Sequence, residues 1–252
     1  MTDKSGVKAV RTTFRILHAL KDIDGSVGVS DLSDKLELPV STVHSHLTTL
    51  HDCGYVVKQG SEYDIGYRFL ETGGFRRSQS RLFEFAKPKV DQLAEEFGDK
   101  VNLVVYDHGL AAHIYIAKGE EAIETDTYIG IRLHSHSSAS GKVILAHLPE
   151  ELVHETIDRY GLVHHGPNAI TSRDEFFEEL AQIREAGIAF DREERVEGLH
   201  CVAAPIMRDN ALPAAISISG PRGRMTGERF TDEIPERLQN VADTIRIKHR
   251  YA

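Results

Sequence analysis

The run LPVSTVHSHLTTLHDCGYVV, residues 38–57, leaves a folding chain few local options. Val43, Leu47 and Leu50 recur at i, i+4 and i+7, the spacing that lines one face of an α-helix. At about 100° per residue, Ser41, Ser45 and Thr48 fall on the opposite face. Pro39 suits the first helical turn and Gly54 ends the helix. Directly afterwards, YVVKQGSEYDIGY gives two short strand-like runs around a turn at residues 59–62. Upstream, residues 11–23 place Phe14, Leu17 and Leu20 at three-residue steps, with Ile16 and Ala19 beside them, which predicts a core-facing helix. DIDGSVG marks a turn, and Ser30 is the expected N-cap of a short helix through Glu37, with Asp31 and Asp34 in its first turns. Three helices and a hairpin in that order make a winged helix-turn-helix.

The pattern loosens around ETGGFRRSQSR, where a linker is expected. A helix is predicted over 80–97, followed by strands at VNLVVYD and AAHIYIA and a third near 123–131. Short helices follow over 140–148 and 150–160. SRDEFFEELAQIREAG opens with a capping-box pattern, Ser172 with Glu175, and closes at Gly187. LHCVAAPIM and LPAAISISG, separated by RDNA, read as a hairpin, and a last helix covers 231–248. Strands and helices in this mixed order imply an α+β domain with an antiparallel sheet. The expected organisation is a winged helix-turn-helix over 1–74, a linker and connecting helix over 75–98, and an α+β domain over 99–252.

At 252 residues the chain has room for two domains, and no apolar run approaches the roughly 18–20 residues that cross a bilayer. Cys53 and Cys201 are isolated and give neither a disulfide framework nor a CxxC metal clip. With no secretory leader visible in MTDKSGVKAV, a cytoplasmic protein with reduced thiols is expected. The net charge of −9 argues against indiscriminate attachment to nucleic acid, though not against a reader whose acidity sits on another domain.

LSDKLELPVSTVHSHLTTLHDCGYV resembles the DNA-reading segment of the IclR family of transcriptional regulators. SASGKVILAHLP, DREERVEGLHCVAAPI and AISISGP resemble three segments that shape that family's effector domain. The resemblance covers nearly the whole chain. It implies a winged helix-turn-helix followed by a GAF-like α+β domain, double-stranded DNA with a palindromic operator as partner, and a small-molecule effector. It also implies a homodimer, possibly a tetramer. Carried onto this sequence, it points to Ala139, Ser140, Asp191, Cys201, Ser217 and Ser219 as effector-binding residues, with an organic acid or sugar acid as the ligand class. Two hydroxyls at i and i+2 of an apolar strand share a face and need partners, which suits such a ligand at Ser217 and Ser219. The amides of Ser140 and Gly141, at a helix start, would favour a carboxylate, whereas an ionised Asp191 would repel one.

For DNA, Ser41, Thr42, His44, Ser45 and Thr48 are the candidates to touch base edges, which are read by hydrogen bonds and apolar contacts without need of charge. Affinity comes largely from neutralising phosphates. Lys58, with Arg11, Arg15, Lys35, Arg68, Arg76 and Arg77, would supply that. From Met1 to Arg77 five lysines and five arginines balance ten acidic residues, so binding by one domain alone should be weak.

Catalytic readings find little support. HSHSSASGKV lacks the first glycine and the Ser/Thr of a phosphate loop, and no glycine precedes Ser217 or Ser219 as a hydrolase elbow requires. His134, His136, His164, His165, His200 and Cys201 include suitable zinc ligands but form no recognised clip, so no metal or cofactor is expected. The alternative is a metal- or metabolite-binding protein, or a small organic-acid enzyme, whose winged helix contacts protein.

Overall fold

The computed structural model describes residues 6–209 and 211–251. The chain divides between Arg76 and Arg77 into two compact units. The first contains α1 (Lys8–Lys21), β1 (Val27–Gly28), α2 (Val29–Leu36), α3 (Val40–Asp52), β2 (Val56–Gln59), β3 (Glu62–Ile65) and most of α4 (Arg68–Ser78), whose last two residues lie past the boundary. Ile16, Leu17 and Leu20 of α1, Leu32 of α2, and Val43, Leu47 and Leu50 of α3 close one core over Val56 and Tyr63 of the hairpin. The unexpected two-residue β1 pairs with β3 and completes a β1-β3-β2 sheet.

Three sequence expectations change here. Phe14 is 54% exposed, because a three-residue step drifts around a helix and carries it away from the Ile16–Leu20 face. Ser30 lies inside α2, whose N-cap is Gly28 with no side-chain bond. The segment read as a linker includes the regular helix α4, although none of its residues is buried.

The second unit begins with α5 (Arg81–Phe97), whose N-cap Ser80 accepts a bond from Phe83 N at 3.3 Å. Then come β4 (Lys100–Asp107), β5 (Leu110–Lys118), β6 (Arg132–His134), α6 (Ala139–Ala146), α7 (Glu150–Tyr160), α8 (Arg173–Ala186), β7 (Ala189–Arg192), β8 (Leu199–Ile206), β9 (Ala214–Pro221) and α9 (Ile234–Tyr251). The strands form one sheet in the order β6-β5-β4-β9-β8-β7, with every neighbouring pair antiparallel. The strand expected over 123–131 is instead a loop with Gly130 at φ 96°, and β6 takes the place beside β5. Ser172 does cap α8 by position, but its side chain makes no capping bond.

Alternation sorts the sheet into two faces. Val101, Leu103, Val202, Ala204, Ile216 and Ile218 pack with α5 and α9, so α5 is a packed layer of this unit. Val104, Ala203 and Ala215 pack with α6, α7 and α8. On that second face the period-two pattern also places Asn102, Cys201, Ser217 and Ser219. These four side chains are therefore collected on one side of the sheet, beneath the start of α6, whereas His200 of β8 lies on the other, its Nδ1 against Met225 O.

Candidate functional site

In the first unit, Ser41, His44, Ser45 and Thr48 lie exposed along α3, with Thr42 half-buried beside them. The hydroxyls of Ser45 and Thr48 donate to the carbonyls of Ser41 and His44, each at 2.9 Å, leaving oxygen lone pairs outward. Lys58 is exposed on the hairpin, its ammonium 5.3 Å from the centre of the Tyr63 ring. His46 is committed inward, Nδ1 lying 2.8 Å from Thr13 Oγ1 on α1. Arg15 and Arg68 donate to the carbonyls of Leu36 and Cys53, anchoring backbone at the edges of the motif.

In the second unit, Ser140, Asp191, Cys201, Ser217 and Ser219 line one cavity of about 40 Å³. Ala139 does not; it is fully buried in the helix-side core. The start of α6 lies against the turn at 135–137 so closely that a Cβ on Gly141 would sit 2.1 Å from Ser135 O. Gly141 N is already bonded to Ser138 Oγ at 3.2 Å, so that amide, expected to meet a ligand, is occupied. The first-turn amides of Ala139 and Ser140 have no carbonyl four residues back within the helix.

The cavity wall also contains Asn102, His113, Thr125, Thr127, Ser138 and Arg195, none of which the sequence reading singled out. Asn102 Nδ2 donates to Ser217 Oγ at 3.2 Å and to Ser219 Oγ at 3.4 Å, while its Oδ1 has no partner. Both ring nitrogens of the buried His113 are likewise unpartnered. Burial, followed by the Arg195 and Lys100 cations, pushes the His113 pKa down to about 4, so the ring is neutral at physiological pH. A signal for both residues was present: each is a lone polar side chain inside an otherwise apolar strand. Thr125 and Thr127 sit in a loop whose path no local pattern dictates.

Asp191 accepts a bond from Glu194 N at 2.8 Å. Its pKa is pushed up to about 7, first by burial and then by the Glu194 carboxylate. Lys142, of the GKV stretch, is fully buried and paired with Glu194 at 2.6 Å and Glu179 at 2.9 Å, so it cannot serve a phosphate loop. Burial drives the Cys201 thiol well above the usual range, which leaves it a neutral wall group rather than a nucleophile. Of the histidines, His134, His136 and His165 cluster, with His134 Nδ1 and His165 Nε2 3.0 Å apart, while His200 is bonded elsewhere, to Met225 O. Among the described residues no three His, Cys, Asp or Glu side chains converge on a metal position.

Comparison with known proteins adds to this geometry. Residues 77–247 match the model of the bacterial transcriptional regulator IclR C-terminal domain, and residues 9–60 match the IclR helix-turn-helix domain. The chain belongs to the IclR family. The transcriptional repressor IclR of Escherichia coli is 34% identical to it over 232 residues, 90% of this chain and 84% of that protein. The probable HTH-type transcriptional regulator ArcR of Halobacterium salinarum is 28% identical over 247 residues, 96% and 94% of the two chains. The crystal structure of Thermotoga maritima IclR superposes with a TM-score of 0.75 at 30% identity, covering 96% of this chain and 98% of that one. A Microbacterium hydrocarbonoxydans IclR homolog complexed with 4-hydroxybenzoate gives 0.82 at 22% identity over 97% and 100%, a likeness of fold. This IclR-family chain is a DNA-binding transcriptional regulator of mixed α+β build.

Proposed function

We propose that this regulator binds a palindromic operator as a homodimer, represses transcription in the cytoplasm, and is controlled by a small organic acid held in the sheet cavity. The observation that carries the ligand reading is the set of buried polar atoms without partners, both His113 nitrogens and Asn102 Oδ1, on the wall of one cavity. Buried polar groups are nearly always satisfied, and unsatisfied ones on a cavity wall are where a polar ligand gains most. At about 40 Å³ the space suits a compact acid, since one water needs roughly 10–15 Å³ by such a measure. The proposed contacts are Ser140, Asp191, Cys201, Ser217 and Ser219, with Ala139 contributing backbone only.

The assembly reading rests on apolar surface. Val10 and Phe14 are 51% and 54% exposed on α1, and Val7 at its N-cap is 65% exposed. In α4, Leu70 is 70% exposed, and no residue of that helix is buried. An eleven-residue helix with no fully buried residue, its Phe69 resting on the Tyr55 ring at 4.8 Å, is marginal in water, so a second subunit is the natural cover. The repressor reading follows the E. coli relatives, which are named repressors.

Selection of bound sequences from random duplex DNA, repeated with and without millimolar small carboxylates, tests the whole reading. The expected result is a two-fold symmetric site whose affinity falls steeply with salt and changes at least fivefold with one of the acids. Recovery of no enriched sequence at low ionic strength would defeat it.

A further inference from the structure

We propose that Lys100 supplies the positive charge that holds an anionic effector, and that it acts through a hydroxyl relay in which Thr127 makes the contact. The inference rests on the ligand-cavity reading above and names the residue that would give that cavity its charge preference.

Lys100 begins β4 and is 2% exposed. Its Nζ donates to Thr125 Oγ1 and, at 3.3 Å, to Thr127 Oγ1, and both threonines line the cavity. Among the described residues no carboxylate forms an ion pair with it. The two acids nearest in the same loop are engaged elsewhere, Glu124 by Lys118 at 2.7 Å and Asp126 by Arg195. A buried ammonium with hydroxyl partners alone is costly unless a further negative group joins it. Burial, then Lys118, hold the Lys100 pKa below the usual lysine value, and a bound anion would reverse that direction.

Donor accounting fixes the direction of the relay. Thr125 Oγ1 accepts from Lys100 Nζ and from Thr127 N at 3.4 Å, which occupies both of its lone pairs. Its own hydrogen therefore goes to Thr127 Oγ1, 2.8 Å away. Thr127 Oγ1 then accepts from both Thr125 and Lys100, and its hydrogen is the one left over. That O–H, polarised by the ammonium behind it, is a donor for an anion.

The strand register separates this donor from the acid opposite. Lys100 pairs with Ser219, Ser219 with Cys201, and Cys201 with Asp191, so the two charged residues end one row on the same sheet face. At about 4.8 Å per strand, three steps place them about 14 Å apart. A carboxylate at the Lys100 end thus avoids Asp191, and the ligand's remaining polar groups fall toward Asn102 Oδ1 and His113.

Calorimetric titration of the full chain with glycolate, glyoxylate and lactate, and with the neutral amides glycolamide and lactamide, tests this. An acid is expected to bind at least tenfold more tightly than its amide. Thr127→Val and Lys100→Met should each remove most of that preference, weakening the acid far more than its amide. Thermal unfolding checks both variants, and Thr127→Val alone suffices if Lys100→Met does not fold. An acid that binds wild type and both variants equally, or no better than its amide, overturns the relay and leaves the cavity reading standing. Binding of no acid at all overturns the organic-acid reading and the relay with it.

Discussion

Asp191 and His113 share one cavity and pull stability in opposite directions with pH. The Asp191 carboxyl titrates near 7 in the fold against about 3.8 free, so between those values the folded chain holds a proton that the unfolded chain has lost. Stability attributable to it is intact below about pH 4 and falls as pH rises through 7, by on the order of 4 kcal/mol. His113 titrates near 4 against 6.5 free, so the unfolded chain takes up the extra proton, and stability falls as pH drops from 6.5 through 4. Asp191→Asn keeps an acceptor for Glu194 N and should stabilise the protein increasingly from pH 5 to pH 8. His113→Gln should flatten the acid limb between pH 6.5 and 4. Urea unfolding across pH 4–8 checks both; curves running parallel to wild type would show that neither group titrates as its surroundings dictate.

At the level of elements, α6 depends on a buried clasp. Lys142 joins α6 to Glu179 on α8 and to Glu194 after β7, and Glu194 Oε2 has no partner even so. Lys142→Met should cost about 3–5 kcal/mol by stranding Glu194, while the double variant with Glu194→Leu should recover most of it. Chemical unfolding of both variants measures the difference, and no recovery in the double variant would mean that packing, not charge, holds α6. The proposed reading face of α3 should behave differently: Ser45→Ala or Thr42→Ala should leave thermal stability within about 0.5 kcal/mol yet relax base preference in a binding-site selection. An unchanged preference would remove these residues from the interface. Element type was legible where periodicity was long, as in α3, α5 and the β8–β9 hairpin. It was illegible where long-range pairing made the element: β1 exists because β3 lies beside it, and β6 rather than residues 123–131 completes the sheet. The cavity wall divides the same way, since Ser217 and Ser219 announce a shared face by spacing, whereas Thr127 reaches the cavity only through a loop bonded to Lys100.

For the molecule as a whole, the difficulty is charge. The whole chain carries −9, and residues 1–77 balance to zero, so the acidity resides beyond them. One DNA-reading unit with few available cations gains little from phosphate neutralisation, and doubling the unit on a symmetric site is the economical physical remedy. Log affinity falls with log salt by about 0.9 for each phosphate neutralised, so a dimer shows twice the slope of a monomer. Phe14 lies on the exposed α1 stripe and contributes little to its own core, so Phe14→Asp should leave the unit folded while charging the proposed contact. Sedimentation should then show a monomer, operator affinity should fall at least a hundredfold, and the salt slope should halve. A variant that stays dimeric, or a monomer that keeps both the affinity and the slope of wild type, would show that this stripe does not join the subunits.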